Sequence, residues 1–251
     1  MIEMKGLYAG YPGRPVLENI TLDIRFGEVL IIVGPNGCGK STLLKTACGL
    51  LAPSDGEILL DGVPMKGCST KEVAQRVAYL PQSRSVPNIT ARRMVLHGRF
   101  PYLSYPRHYG ERDWEAVEQA LKWVGAEELA FESLPQLSGG QRQKIYLAMA
   151  LAQGTQTILM DEPTTYLDVS CQLEVMALSR RLAEEGKAVV LVLHDLCMAL
   201  QYAQRIVLLT EGRVRQIGTP EEVYRSGSLE EVMGVSLNRI KTENGWRYYY
   251  Q

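Results

Sequence analysis

A chain of 251 residues has room for one large domain, or one domain carrying an inserted subdomain. Its hydrophobic content of 46% suits a packed globular core, and a net charge of −1 gives no support for a nucleic-acid binder driven by phosphate neutralisation. The longest apolar runs, Val29–Val33 and residues 188–193, are strand-length and too short to span a bilayer.

The start, MIEMKGLYAG, lacks the basic start and apolar core of a signal peptide, so a cytoplasmic protein is expected. Ile20, Leu22, Ile24 and Phe26 recur at period two, which predicts a strand with one buried face that ends at Gly27. With a turn at residues 10–14 (GYPGR), residues 1–28 read as part of a small antiparallel sheet. Val29–Val33 (VLIIV) reads as a buried strand. It runs into GPNGCGKST, which is Gly34, Pro35, Asn36, Gly37, Cys38, Gly39, Lys40, Ser41 and Thr42. A helix candidate with Leu43, Leu44, Ala47 and Leu50 follows. Strand, glycine loop and helix in that order are what a phosphate-binding loop requires. Glycines let the backbone wrap an anion closely, and the helix N-terminus adds partial positive charge there. Lys40 can reach β- and γ-phosphates, and the Ser41 hydroxyl can ligate Mg²⁺. A nucleotide site is therefore expected.

Residues 53–56 (PSDG) read as a turn, and Asp61-Gly62 after the apolar EILL signals a hairpin. A short helix over residues 70–75 precedes the strand Val77–Leu80, which ends at Pro81-Gln82. Residues 83–136 change character and read as an inserted helical subdomain. One helix is expected over residues 89–98, then a loop over 99–110. An amphipathic helix over 112–124 carries Trp114, Val117, Leu121 and Val124. Gly139 starts a further helix to about Ala152, and residues 158–160 form a strand closed by Asp161-Glu162-Pro163. Beyond it come a helix over 171–184, a buried strand over 188–193, and a hairpin around Glu211-Gly212. Two short helices and a last hairpin, turning at Asn244-Gly245, complete the pattern. Strands alternating with helices predict an α/β fold with a mostly parallel sheet. Five cysteines, Cys38, Cys48, Cys68, Cys171 and Cys197, are scattered without a C-x-x-C pair and read as reduced side chains.

The strand ending in ILMDE complements the phosphate loop. Asp161 can hold Mg²⁺ directly or through water, and Glu162 can act as general base near the γ-phosphate. LSGGQ, Leu137 followed by Ser138, Gly139, Gly140 and Gln141, places a serine and two glycines at a helix start, another anion nest.

In this order the three motifs resemble those of ABC transporter ATPase subunits, and the likeness runs over nearly the whole chain. The resemblance implies a P-loop NTPase core over residues 1–82 and 137–251, with an N-terminal antiparallel β part, and a helical subdomain over 83–136. It implies that Tyr11 stacks on adenine and that Gln82 contacts Mg²⁺ and the attacking water. It further implies that Asp168 belongs to a loop across a dimer interface and that His194 touches the γ-phosphate. It implies ATP and Mg²⁺ as ligands, and a second copy stacked head to tail whose Ser138–Gln141 segment covers the γ-phosphate on Lys40. Residues 95–104 (VLHGRFPYLS) and TTYLD at 164–168 resemble importers of ferric siderophores, haem and cobalamin. That implies two membrane permease subunits, an extracytoplasmic substrate-binding protein, and a peripheral place on the cytoplasmic face of the cell membrane. Phe100, Tyr102 and Tyr105 become candidate contacts to the permease. A soluble ABC ATPase serving iron–sulfur assembly is the second reading, and the G-R-x-P stretch speaks against it.

Overall fold

The computed structural model describes residues 1–82, 85–243 and 245–251. Ser83, where the expected helical insert begins, and Asn244, in the expected last turn, lie outside the described residues. In chain order the first elements are β1 (Ile2–Tyr11), β2 (Arg14–Ile24), β3 (Val29–Val33), α1 (Lys40–Ala47), β4 (Asp55–Leu60), β5 (Val63–Pro64), α2 (Thr70–Ala74) and β6 (Val77–Leu80). Then come α3 (Ala91–Leu96), α4 (Glu111–Trp123), α5 (Gly139–Ala152), β7 (Thr157–Asp161) and α6 (Val169–Glu184). The chain closes with β8 (Ala188–Val192), α7 (Leu196–Tyr202), β9 (Arg205–Thr210), β10 (Arg213–Gly218), α8 (Pro220–Arg225), α9 (Ser228–Met233), β11 (Leu237–Thr242) and β12 (Gly245–Tyr250).

The central sheet has the order β10-β9-β3-β8-β7-β6. All its neighbours pair in parallel except β10, which returns antiparallel from β9. β3, β7 and β8 are buried at every position, as strands covered on both faces must be. Successive residues of β3 point to opposite faces. Val29, Ile31 and Val33 join a core with the helices of the α3-to-α8 side, while Leu30 and Ile32 face α1 and a second sheet. That second sheet is antiparallel, in the order β2-β1-β4-β5. The expected alternation holds in it: Ile2, Met4, Leu7 and Ala9 of β1 are buried, as are Ile20, Leu22 and Ile24 of β2. Asp61 and Gly62 both take positive φ in the β4–β5 turn, as a tight hairpin demands. Among the described residues no helix is long and apolar enough to cross a membrane.

Some expected boundaries move. β2 ends at Ile24, and Phe26 lies in the turn beyond it, 46% exposed. α1 ends at Ala47; Gly49 turns left-handed (φ 74°), which throws Leu50 into solvent. The helix expected over 89–98 is shorter. Thr90 caps α3, and a 3₁₀ turn over His97–Tyr102 replaces the last part of that helix and the start of the expected loop. The cause is close packing. A Cβ on Gly98 would stand 2.2 Å from the Met149 carbonyl oxygen of α5, and Pro101 follows three residues later. α7 was not anticipated.

Candidate functional site

The parallel strands deliver their C-terminal ends to one edge, where α/β sheets place their ligands. The loop after β3 wraps into α1. A Cβ on Gly34 would stand 2.0 Å from the Leu209 carbonyl, and Gly39 caps α1 at φ 111°, so both positions require glycine. Lys40 is 5% exposed, and its ammonium donates to the Gly34 carbonyl at 2.7 Å and the Pro35 carbonyl at 2.9 Å. Its charge is thus held inside the loop rather than in water.

Tyr11, Asn36, Gly37, Gly39, Lys40, Ser41, Thr42, Gln82, Glu162 and His194 line one cleft of about 470 Å³. They come from five separate segments: the end of β1, the loop into α1, and the ends of β6, β7 and β8. Glu162 joins three of them. Its backbone is left-handed (φ 49°), a costly conformation for a residue with a side chain. Its Oε1 meets His194 Nε2 at 2.6 Å. Its Oε2 accepts from Gln82 Nε2 and, at 3.2 Å, from the Thr165 hydroxyl. Three donors leave about one of a carboxylate's roughly four lone-pair sites for a further proton donor.

Asp161 is 3% exposed at the end of β7. The Tyr79 hydroxyl donates to its Oδ2 at 3.2 Å, and its buried Oδ1 has no hydrogen-bond partner among the described residues. Burial pushes the carboxyl above its usual range, against the pull of the Ser41 and Tyr79 hydroxyls and Lys45; the neighbouring Glu162 charge pushes it further. An orphaned carboxylate oxygen beside the Ser41 hydroxyl is a hard oxygen donor set that fits a small divalent cation such as Mg²⁺.

The remaining expected residues lie elsewhere. Ser138 caps α5 through a reciprocal box: its hydroxyl accepts from Gln141 N at 3.3 Å, and Gln141 Oε1 accepts from Ser138 N at 2.9 Å. The Gly139 and Gly140 amides of the first turn have no acceptor within the helix. Asp168 caps α6, accepting from Cys171 N at 2.8 Å. None of these five residues lines the phosphate-loop cleft; Gly140 borders a different groove with Leu167 and Cys171. Phe100 and Tyr105 are 51% and 96% exposed. The Tyr102 hydroxyl is engaged, donating to the Gln153 carbonyl at 2.8 Å.

Sequence reasoning missed Arg14 and Val16, which also line the cleft, and Thr165, which bonds Glu162. It read Tyr79 only as part of an apolar strand, although a tyrosine one residue before the end of a buried strand carries a hydroxyl that needs a partner.

A family profile described as ABC transporter matches residues 17–165. The chain is 41% identical over 237 residues to a probable siderophore transport system ATP-binding protein of Bacillus subtilis, covering 94% of this chain and 86% of that one. It is 44% identical over 230 residues to a hemin import ATP-binding protein of Rhodococcus jostii, covering 91% and 78%. A chain of a metal-chelate type ABC transporter in an inward-facing conformation superposes with TM-score 0.86 at 26% identity, covering 100% of this chain and 96% of that one. The dimeric ATP-binding cassette MJ0796, bound to ADP and phosphate, superposes with TM-score 0.77 at 31% identity, covering 88% and 99%.

Proposed function

The chain belongs to the ABC transporter family, and from that membership we propose that it powers import of a metal chelate (a ferric siderophore, haem or cobalamin) through a membrane permease. It is an ATPase, as the ATP-binding subunits of this family are. One observation carries the hydrolytic part of the reading: Lys40, Ser41, Gln82, Glu162 and His194 meet at a single cleft, with Glu162 hydrogen-bonded to both Gln82 and His194. The likeness to siderophore and hemin import subunits supports the chelate.

In this reading Tyr11 stacks on adenine at the mouth of the cleft. The amides of residues 34–42 and the Lys40 ammonium hold the β- and γ-phosphates where charge develops during transfer. Ser41, the orphaned oxygen of Asp161 and Gln82 are the ligands for Mg²⁺, which when bound neutralises phosphate charge. Glu162 takes a proton from the attacking water through its remaining lone-pair site. His194 exchanges its bond to Glu162 for one to the γ-phosphate.

A second copy, head to tail, supplies Ser138, Gly139, Gly140 and Gln141 to close the site, with Asp168 at the interface. Residues 1–82 and 137–251 form the core, and 83–136 form the subdomain that docks on the permease. Phe100, Tyr102 and Tyr105 are its exposed contacts, with Tyr102 held in place by the bond of its hydroxyl to the Gln153 carbonyl. Two permease subunits, and indirectly an extracytoplasmic binding protein, complete a machine on whose cytoplasmic face this chain sits peripherally.

The test is to co-purify the chain with its permease, reconstitute the complex in vesicles and add binding protein loaded with a ferric siderophore, haem or a corrinoid. One of these should raise ATP turnover above the level with unloaded binding protein. Robust turnover that none of them stimulates rules out chelate import.

A further inference from the structure

The N-cap of α7, Asp195, directly follows His194, and the first turn of the helix is capped from two directions. Asp195 Oδ1 accepts from Met198 N at 2.9 Å. That leaves the first helical amide, Leu196 N, without an acceptor inside the helix. The acceptor comes from 54 residues further along the chain. The hydroxyl of Tyr250, in β12, accepts from Leu196 N at 2.8 Å and donates back to Asp195 Oδ1 at 3.4 Å. One phenol therefore bridges the free amide and the capping carboxylate. Burial pushes the Tyr250 hydroxyl up to about 12, against the pull of the Leu196 amide, so it keeps its proton at neutral pH.

The hairpin that presents Tyr250 is itself held firmly. Six residue pairs join β11 to β12, from Leu237↔Tyr250 to Thr242↔Gly245. Arg239 forms an ion pair with Glu221 of α8, and the Tyr248 ring packs edge-on against Tyr224 with centroids 5.2 Å apart. The hydroxyl is thus offered from a fixed frame.

We infer that Tyr250 is a positioning residue for His194: the C-terminal hairpin sets the N-cap of α7 and, one residue back, the imidazole that bonds Glu162. This rests on the catalytic reading of His194 given above. Asp195 is common to both connections. Its side chain is fixed by Met198 N and Tyr250, and its backbone is bonded covalently to His194.

The experiment compares ATP turnover by the full chain with that of Tyr250→Phe, His194→Ala and the double variant. Tyr250→Phe removes one oxygen and leaves the ring packing in place. It should lower kcat about threefold to tenfold, the scale of one hydrogen bond, with KM for ATP changed by less than about twofold. In the His194→Ala background the same change should cost nothing further, because the group it positions is gone. A merely structural tyrosine would give an additive loss of kcat in the His194→Ala background, and that result overturns the inference. Native kcat in Tyr250→Phe, with His194→Ala inactive, also overturns it and leaves the reading of His194 standing. Native turnover in His194→Ala sinks that reading and this inference with it. Should Tyr250→Phe fold poorly, Asp195→Asn keeps the hairpin intact and carries the same expectation of a lower kcat at constant KM.

Discussion

Glu162 is the residue on which the chemistry turns, and its geometry makes a sharp prediction. Glu162→Gln is isosteric, so the left-handed turn survives, yet the amide cannot accept a proton from water. Turnover should fall by roughly 10²- to 10⁴-fold, the usual worth of a general base, while ATP remains bound. Single-turnover phosphate release measures it, and hydrolysis at the native rate would mean that the base is another group. At this scale the site was largely legible. Lys40, Ser41, Asp161 and Glu162 are found from local motifs, at a helix start and a strand end, whereas Gln82 and His194 are found only through the family resemblance. Tyr79 was not found because its bond to Asp161 joins strands 82 residues apart, and Thr165, three residues from Glu162, sits in a turn where no motif marks the role of its hydroxyl.

The element that joins the most features is α5. Its N-terminus carries the Ser138–Gln141 cap, and its C-terminus is gripped by the 3₁₀ turn over His97–Tyr102. Arg99, paired with Asp113 at 2.9 Å, donates to the Ala152 carbonyl at 3.0 Å, and Tyr102 donates to that of Gln153. The G-R-x-P stretch is therefore a clasp on the last carbonyls of α5 as well as a surface. Near its other end α5 rests on α6. Lys144 pairs with Glu174 at 2.8 Å, and a Cβ on Gly140 would stand 2.5 Å from the Cys171 sulfur. Gly140→Ala should thus cost about 1–3 kcal/mol through overpacking, read as a lowered denaturation midpoint. Adding Cys171→Ala should restore most of it, because the Cys171 Cβ is 3.6 Å away, an ordinary contact. An unrescued loss would place the strain elsewhere. No motif announces this contact, since it joins helices 30 residues apart in sequence. α7 is a different case: Asp195 before Leu196, Ala199 and Leu200 is a cap followed by helical spacing, a readable signal in a short segment.

Across the whole molecule, the two halves of the expected site lie on different surfaces. The phosphate-loop cleft contains none of the Ser138–Gln141 segment, so in the proposed reading a complete site needs two chains. In a Glu162→Gln background, ATP should drive dimers that elute early in gel filtration. Adding Ser138→Arg should abolish them while single chains still bind ATP. ATP-dependent dimers persisting with the arginine would remove that segment from the interface. The sheet order was not readable from sequence, because strands such as β3 and β8 pair across more than 150 residues; their buried, parallel character was. The bond between Gln82 and Glu162 has a further consequence. Gln82 lies two residues beyond β6, where the chain leads into the helical segment, and Glu162 faces the cleft, so in the proposed reading nucleotide and docking partner act on a shared contact. Thermodynamic reciprocity then fixes one ratio. Whatever factor a docked permease contributes to ATP affinity, bound ATP must contribute the same factor to permease affinity. Titrating ATP with and without the permease, and the permease with and without ATP, must therefore return one number.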